Sequence, residues 1–177
     1  MVQGELESKI QQIRLVAMDV DGVLTEGRLM YTENRGEICC FHIKDGMGLI
    51  MARQAGLQTA IISGRLSEVV LRRATDLKIS DVFQGVIRKM EPYEQLMRKY
   101  HLTKEQICYI GDDVNDLPVL RQVGLAVAVA DAVEEVKGAA HYVTRSPGGG
   151  GAVREIIDLI LHGQGLYDMA VKAFGSQ

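Results

Sequence analysis

The sequence predicts a Rossmann-like, doubly wound α/β fold, in which a mostly parallel sheet carries helices on both faces. Short apolar runs of strand length alternate with longer segments of helical periodicity, and this alternation is typical of parallel sheets. Three of these apolar runs end at polar clusters, which begin at Asp19, Ser63 and Asp112. Because the carboxyl ends of parallel strands meet at one edge of a sheet, we expect the three clusters to face a common site.

Composition indicates one globular domain, and we expect residues 1–177 to form a single unit. The formal net charge of -3 gives no electrostatic basis for binding nucleic acid or an anionic membrane. Residues 1–14 lack the apolar core of a signal peptide, and no apolar run reaches membrane-spanning length. The three cysteines (Cys39, Cys40 and Cys108) lack the spacing of a zinc or redox motif, which favours a reduced, cytoplasmic protein.

The first predicted strand runs from Leu15 to Met18 and is followed by Asp19 and Asp21. Side chains two residues apart point the same way, so both carboxylates are expected to enter one site. Gly22 then allows a sharp turn. Two close carboxylates repel each other, and a divalent cation, a basic side chain or a shared proton must compensate. Taken alone, the motif is also typical of a surface turn, whereas an EF-hand loop is excluded because Gly22 comes too early.

A β-hairpin is predicted over residues 27–41, with its turn at residues 33–36, and is expected to project over the aspartates as a flap. An apolar helix follows and ends near Gly56. The next buried strand, residues 59–62, leads directly to Ser63. We expect a helix to begin there, so that the Ser63 hydroxyl and the N–H groups at the helix start can bind a phosphate.

The second half of the chain repeats the alternation of strands and helices. A short strand precedes Lys89, a buried strand ends at Gly111 and Asp112, and two further strands follow, at residues 125–130 and 142–144. The glycine run at residues 148–151 lacks the Lys-Ser/Thr pair of a P-loop and the spacing of a dinucleotide fingerprint. It is interpreted as a flexible segment in a glycine-rich C-terminal tail that starts at about residue 146, and a helix is predicted to follow it at residues 152–161.

The polar clusters contain the groups that phosphoryl transfer requires. Asp19 suits a nucleophile that forms an aspartyl-phosphate, and Asp21 suits the acid that protonates the leaving oxygen and the base that activates water. Asp19, Asp112 and the backbone carbonyl of Asp21 suit Mg²⁺, which prefers hard oxygen ligands. Ser63 can donate to phosphate oxygens, and Lys89 can balance the charge around Asp19.

Four separated motifs resemble, in order, those of the haloacid dehalogenase-like phosphatase superfamily: residues 19–25, Ser63, Lys89 and residues 111–116. The resemblance implies the following roles. Asp19 is the nucleophile and Asp21 the acid and base, Ser63 and Lys89 stabilise the phosphate and the nucleophile, and the Mg²⁺ ligands are Asp19, Asp21 and Asp112. Asp113 and Asp116 are implied as carboxylates that orient the metal ligands.

Over nearly its whole length, the chain also resembles a narrower family, the 3-deoxy-D-manno-octulosonate 8-phosphate phosphatases. It rests on the hairpin, on residues 44–46, 63–65 and 149–155, and on Gln84 and Gly85 together with Lys89. Those enzymes act on a sugar acid phosphate in lipopolysaccharide precursor biosynthesis. They lack a separate cap domain and form homotetramers in which neighbouring subunits help to close the active site. The resemblance implies the same substrate, architecture and assembly for this chain.

The substrate contacts implied by the resemblance are His42, Lys44, Asp45, Gly46, Gly64, Arg65, Arg73 and Asn115. Arg65 and Arg73 suit a carboxylated sugar, because arginine pairs bidentately with carboxylates. Two positions depart from the family pattern: Ile50 stands where an arginine is common, and His42 replaces a usual asparagine. Two alternatives stay open. One is a phosphatase for another sugar acid phosphate, such as a nine-carbon 9-phosphate, and the other is a binding module that has lost catalysis.

Overall fold

The computed structural model describes residues 3–34 and 36–175, and a parallel sheet lies at its centre. The described residues contain eight strands: β1 (Leu15–Met18), β2 (Met30–Tyr31), β3 (Glu37–Ile38), β4 (Gln58–Ile62), β5 (Asp81–Phe83), β6 (Ile107–Gly111), β7 (Leu125–Ala128) and β8 (Tyr142–Val143). Six of them form one sheet in the order β5-β4-β1-β6-β7-β8, and every neighbouring pair is parallel. The predicted α/β fold is therefore confirmed.

Helices cover the sheet on both sides. The described part of the chain has eight α-helices: α1 (Gln3–Gln12), α2 (Ile43–Gln54), α3 (Glu68–Leu77), α4 (Met90–Tyr100), α5 (Leu117–Leu120), α6 (Glu134–Ala139), α7 (Ala152–Gly163) and α8 (Tyr167–Gly175). Their contacts fall into two groups, since α2 packs against α3, α7 and α8 while α5 packs against α4 and α6. None of the helices in the described ranges is long and apolar enough to cross a membrane.

Strand β1 forms the middle of the core. All four of its residues are apolar and inaccessible to solvent, as expected of a parallel strand with helices on both faces. Met18 lies opposite Ile61 of β4 and Ile110 of β6. The chain runs outward from β1 to β4 and β5, and then returns to place β6 on the other side of β1. The residues after β1 therefore lie where the strand order reverses, the usual ligand site of open α/β sheets.

The predicted hairpin between β1 and α2 is present, and its strands are shorter than expected. β2 and β3 pair antiparallel, with Met30 opposite Ile38 and Tyr31 opposite Glu37. The backbone N–H of Thr32 donates to the carbonyl of Gly36 at 2.8 Å and closes the turn. The predicted turn at 33–36 includes position 35, which lies outside the described residues. Among the described residues, no separate cap domain interrupts this connection.

The glycine-rich segment is part of the packed structure, so the prediction that residues 148–151 are flexible is wrong, whereas the helix predicted after them is present. The backbone N–H of Gly149 donates to the carbonyl of Val23 at 2.9 Å. A Cβ atom on Gly148 would lie 1.7 Å from the carbonyl oxygen of Gly22, so only glycine permits this approach. Helix α7 follows directly and buries Ile156 and other apolar side chains completely. The glycines thus serve close packing rather than chain flexibility.

Candidate active site

Asp19 is held rigidly at the carboxyl end of β1. Its backbone N–H donates to the carbonyl of Ile110 at 3.1 Å, and its Oδ1 accepts from the N–H of Val20 at 2.6 Å. Asp21 lies half-buried in the turn that follows. Gly22 has a φ of +81°, and a Cβ atom there would lie 2.0 Å from Asp112 Oδ2. Glycine at this position therefore lets the loop after β1 approach the loop after β6.

Three carboxylates converge at this edge of the sheet. Asp19, Asp112 and Asp116 each place one oxygen within 4.8 Å of the other two. Oδ1 of Asp112 is buried, and no group in the described ranges makes a hydrogen bond to it. A buried carboxylate oxygen without a partner is costly unless a proton or a cation satisfies it. The cluster therefore has the donor set that a hard divalent cation prefers.

Asp116 uses both of its oxygens within the protein. Oδ1 accepts from Lys89 Nζ and from the Tyr109 hydroxyl, each at 2.7 Å. Oδ2 accepts from the backbone N–H of Asp112 at 3.0 Å. Lys89, which is almost fully buried, also donates to Oδ2 of Asp19. Asp116 therefore orients Lys89 against Asp19 and has little capacity left to bind a metal.

The titration behaviour of the site reflects this crowding of charge. Burial, together with the nearby Asp116 carboxylate, raises the pKa of Asp19 to about 6 against the opposing effect of Lys89. Burial and Asp116 likewise raise the pKa of Asp112 to about 7. Burial alone would lower the pKa of Lys89, but Asp116 and Asp19 outweigh it and hold that pKa above its ordinary value. Three carboxylates around one ammonium leave an excess of negative charge that a divalent cation would neutralise.

Ser63 directly follows β4 and is buried. Its hydroxyl accepts from the backbone N–H of Arg65 at 3.2 Å. The prediction that a helix begins at Ser63 is wrong, since α3 begins only at Glu68 and is capped by Ser67, whose hydroxyl accepts from the N–H of Val70. Residues 64–67 form a separate loop because the carbonyl of Ser63 accepts from Val86 and holds the chain against the next connection. The N-terminus of α3 is therefore not at Ser63.

A cavity of about 250 Å³ opens over these groups. The residues that line it include eight from the connections after β1, β4 and β6: Asp19, Asp21, Gly27, Gly64, Arg65, Asp112, Asp113 and Asn115. Asp113 and Asn115 are exposed, and Oδ1 of Asp113 accepts from the N–H of Val114 to cap a short 3₁₀ helix. Burial raises the pKa of Asp21, and Arg65 opposes this shift. The structure thus brings all the predicted catalytic and metal-binding aspartates to one place.

The predicted substrate contacts around the start of α2 lie outside the Asp19 cavity. His42 and Lys44 line a different cavity, of about 360 Å³, next to residues 145–158. Asp45 is buried and accepts from the backbone N–H groups of Gly151 at 3.3 Å and Arg154 at 2.7 Å. The Asp45 carboxylate therefore caps α7, where Gly151 has no side chain to do so.

Gly46 and Arg73 form a second contact outside the Asp19 cavity. A Cβ atom on Gly46 would lie 2.3 Å from Nη2 of Arg73, so glycine makes room for the guanidinium. The same guanidinium lies 5.8 Å from the centre of the Phe41 ring. Within one chain, Arg73 packs against helix α2 and an aromatic ring.

Two residues of the polar network were not identified from the sequence. Tyr109 lies within the apolar run of β6, where its pattern indicates only a core residue. Glu37 lies on the hairpin, and its carboxylate accepts from Arg65 and from the hydroxyl of Ser67. The alternation of a two-residue strand is too short to reveal such a partner.

The strand order and the carboxylate cluster after β1 and β6 are those of the haloacid dehalogenase-like hydrolases, and the model of that family matches residues 73–157. Curated relatives narrow this class. The chain is 41% identical over 169 residues to 3-deoxy-D-manno-octulosonate 8-phosphate phosphatase KdsC of Escherichia coli K12, covering 96% of this chain and 90% of that one. It is 44% identical to the Haemophilus influenzae KdsC over 160 residues, covering 90% and 89%. The chain belongs to the 3-deoxy-D-manno-octulosonate 8-phosphate phosphatase family.

Solved structures agree with this assignment. The Moraxella catarrhalis 3-deoxy-D-manno-octulosonate 8-phosphate phosphatase, in complex with a magnesium ion, a phosphate ion and KDO, superimposes with a TM-score of 0.93 at 38% identity. That match covers 97% of this chain and 99% of the other. A hydrolase from Legionella pneumophila, described as haloacid dehalogenase subfamily III A, gives a TM-score of 0.96 at 40% identity and covers 98% and 96%.

Proposed function

We propose that this protein hydrolyses 3-deoxy-D-manno-octulosonate 8-phosphate to the free sugar acid and phosphate, with Mg²⁺ as its cofactor. Family membership supports the substrate, since the relatives reported above carry that activity in their names. One observation on this chain carries the chemistry: the paired Asp19 and Lys89 lie beside the unpartnered oxygen of Asp112. A nucleophile and a free metal ligand are thus adjacent at the end of β1.

The residues present fit a magnesium ion. Asp19 and Asp112 would hold it, together with the backbone carbonyl of Asp21. Oδ1 of Asp112 is the buried acceptor that lacks a partner among the described residues. When bound, Mg²⁺ neutralises charge on the carboxylates and on the phosphate oxygens.

In the first half of the reaction, a carboxylate oxygen of Asp19 attacks phosphorus, and the bond from phosphorus to the sugar oxygen breaks. Asp21 donates its proton to that leaving oxygen. In the second half, Asp21 takes a proton from water, and the water oxygen displaces Asp19 from the phosphorus. Lys89 donates to Asp19 and so holds its carboxylate in one orientation, which supports in-line attack. Ser63 and Asn115 are proposed contacts to the phosphate and the sugar.

The test is phosphate release from a panel of substrates in the presence of Mg²⁺. The panel contains 3-deoxy-D-manno-octulosonate 8-phosphate, a nine-carbon sugar acid 9-phosphate and simple hexose phosphates. We expect a strong preference for the octulosonate and loss of the activity when the metal is chelated. Preference for the nine-carbon acid would contradict the proposed substrate but not the mechanism. It would indicate that His42 and Ile50, which depart from the family pattern, change the substrate specificity. No release from any compound would contradict the enzyme assignment.

We also propose a homotetramer in which neighbouring copies help to close the site. Two observations support this assembly. The hairpin exposes Met30, Ile38 and Tyr31, the last at 69%, and a cluster of exposed apolar side chains is typical of an interface. His42 and Lys44 lie outside the Asp19 cavity of their own chain, so a second copy would be needed to bring such groups to it. Light scattering is expected to give four times the chain mass, and a fully active monomer would contradict the proposal.

We also propose that the protein is located in the cytoplasm. Cys39, Cys40 and Cys108 all carry free thiols, and Cys108 is buried. Free thiols are typical of proteins in reducing compartments.

A further inference from the structure

One carboxylate of the hairpin, that of Glu37, is directed back toward the body of the protein. Glu37 begins β3, and its side chain is only 15% exposed although its neighbours Ile38 and Tyr31 face solvent. Its Oε1 accepts from Nη2 of Arg65, and its Oε2 accepts from the Ser67 hydroxyl at 2.7 Å. Both oxygens are therefore occupied, and the hairpin is attached to the loop that follows β4.

The anchor of Glu37 is itself fixed. Ser67 caps α3 through its hydroxyl, and its backbone N–H donates to the side-chain oxygen of Gln84 in the loop after β5. The Ser67 hydrogen bond and the Arg65 guanidinium keep the pKa of Glu37 below its usual value, so the carboxylate stays ionised. An ionised acceptor that is held at both oxygens can fix the direction of a long, flexible arginine side chain.

Arg65 presents the other side of its guanidinium to the active site. Its Nη1 lies 3.6 Å from Oδ1 of Asp21. That nitrogen is buried and makes no hydrogen bond within the described residues, and the side chain lines the cavity above Asp19. Arginine recognises carboxylates and other oxygen pairs through several N–H donors, and here Nη1 has a charged neighbour in Asp21 but no hydrogen-bond acceptor among the described residues. Because Arg65 lines the same cavity as Asp19, this nitrogen is within reach of the sugar portion of a substrate whose phosphate lies at Asp19.

We propose that Glu37 is a positioning residue that holds the Arg65 guanidinium so that Nη1, which makes no hydrogen bond among the described residues, can donate to the oxygen-rich sugar acid of the substrate. The hairpin thereby contributes to substrate specificity as well as covering the site. This inference rests on the proposed sugar acid phosphatase function. A purely structural ion pair would instead affect all substrates alike, because it would alter only the stability of the hairpin.

The test compares two substrates on the full-length protein with Mg²⁺. One is 3-deoxy-D-manno-octulosonate 8-phosphate, and the other is p-nitrophenyl phosphate, which has no sugar acid for Arg65 to bind. We expect Glu37→Ala to raise KM for the sugar acid phosphate about tenfold or more while kcat/KM for p-nitrophenyl phosphate stays within about twofold of the wild type. Glu37→Gln keeps an oxygen acceptor without the charge, and its KM for the sugar acid phosphate is expected to lie between those of the wild type and Glu37→Ala. Glu33→Gln makes the same charge change on the exposed part of the hairpin and serves as the matched control.

A double-substitution cycle tests whether Glu37 acts through Arg65. In an Arg65→Met background, Glu37→Ala is expected to add no further increase in KM. Additive effects, equal losses on both substrates, or no change on either would each overturn the inference. Glu37→Gln, being nearly isosteric, keeps the test decisive if Glu37→Ala fails to fold. The wild-type measurement separates the two claims, because a wild type that prefers another substrate contradicts the proposed function, and unchanged variants of an active wild type contradict only the role of Glu37.

Discussion

At the scale of single residues, the site depends on a buried tyrosine that never faces the cavity. Tyr109 is completely buried in β6 and donates to Asp116, which in turn accepts from Lys89. Burial and the neighbouring Asp116 carboxylate hold the pKa of Tyr109 well above its ordinary value, so the phenol remains a donor. The chain Tyr109–Asp116–Lys89 thus fixes the ammonium that orients the proposed nucleophile, Asp19.

Replacing Tyr109 with phenylalanine tests this chain of hydrogen bonds. We expect Tyr109→Phe to lower kcat about tenfold with little change in KM, and to cost about 1–3 kcal/mol of stability, because one oxygen of Asp116 loses a donor. Steady-state kinetics and urea denaturation measure the two effects. Tyr93→Phe, on a buried tyrosine of α4, is the control and should keep the wild-type kcat. A wild-type kcat in Tyr109→Phe would show that Asp116 holds Lys89 without help.

The contrast between residues shows which parts of the site a sequence can reveal. Asp19 and Asp21 were predictable because both belong to a short local motif directly after an apolar strand. Tyr109 and Glu37 were not, because each acquires its role from a partner that only the fold brings near. A tyrosine in an apolar run and a glutamate on a hairpin have many ordinary explanations, and neither residue type singles out a partner.

At the scale of secondary structure elements, α7 depends on a cap that comes from another helix. The residue before α7 is Gly151, which has no side chain to accept from the first backbone N–H groups. Asp45 of α2 supplies the acceptor instead, across more than one hundred residues of sequence. The resemblance to known phosphatases had implied Asp45 as a substrate contact, whereas its carboxylate is buried against this helix.

Substitution of Asp45 separates these two roles. We expect Asp45→Ala to lower the free energy of unfolding by about 1–2 kcal/mol, as for the loss of a helix cap, with KM nearly unchanged. Asp45→Asn keeps one acceptor and should lose less. Urea denaturation and substrate kinetics are the measurements, and Asp76→Ala on the exposed side of α3 is the control. A raised KM at unchanged stability would restore the role of Asp45 as a substrate contact.

The glycine-rich segment shows why one element was wrongly predicted. Runs of glycine are typical of flexible linkers, and the sequence of residues 148–151 contains nothing that distinguishes close packing from flexibility. The structure requires these glycines because the backbone of Gly148 approaches that of Gly22 too closely for a side chain. The alternation of strands and helices was predictable, since it follows from burial over many residues, but this contact joins two segments that are distant in sequence.

At the scale of the whole molecule, the carboxylate cluster links stability to pH and to metal. Asp19 has a raised pKa of about 6 and Asp112 one of about 7, against an ordinary value of 3.8. Without metal, the folded protein therefore binds protons more tightly than the unfolded chain at mildly acidic pH. These two groups destabilise the metal-free fold above their raised pKa values, and protonation relieves that penalty as the pH falls.

The expected result is a thermal midpoint that rises when the metal-free protein is taken from about pH 7.5 to about pH 5.5. Addition of Mg²⁺ should raise the midpoint at the higher pH and flatten the dependence, because the cation replaces the protons. Scanning calorimetry with and without a chelator measures both effects. Asp112→Asn should show a weaker dependence than the wild type. A midpoint that falls on acidification over this range would contradict the account of the cluster.

Phosphate transfer through Asp19 is tested by the turnover of the Asp19→Asn variant. With 3-deoxy-D-manno-octulosonate 8-phosphate and Mg²⁺, we expect kcat to fall by at least about a thousandfold, because an amide cannot act as the nucleophile. The variant should remain folded, and Asp76→Asn on the surface of α3 should keep the wild-type rate. Turnover by a folded Asp19→Asn protein at close to the wild-type rate would contradict phosphate transfer through Asp19.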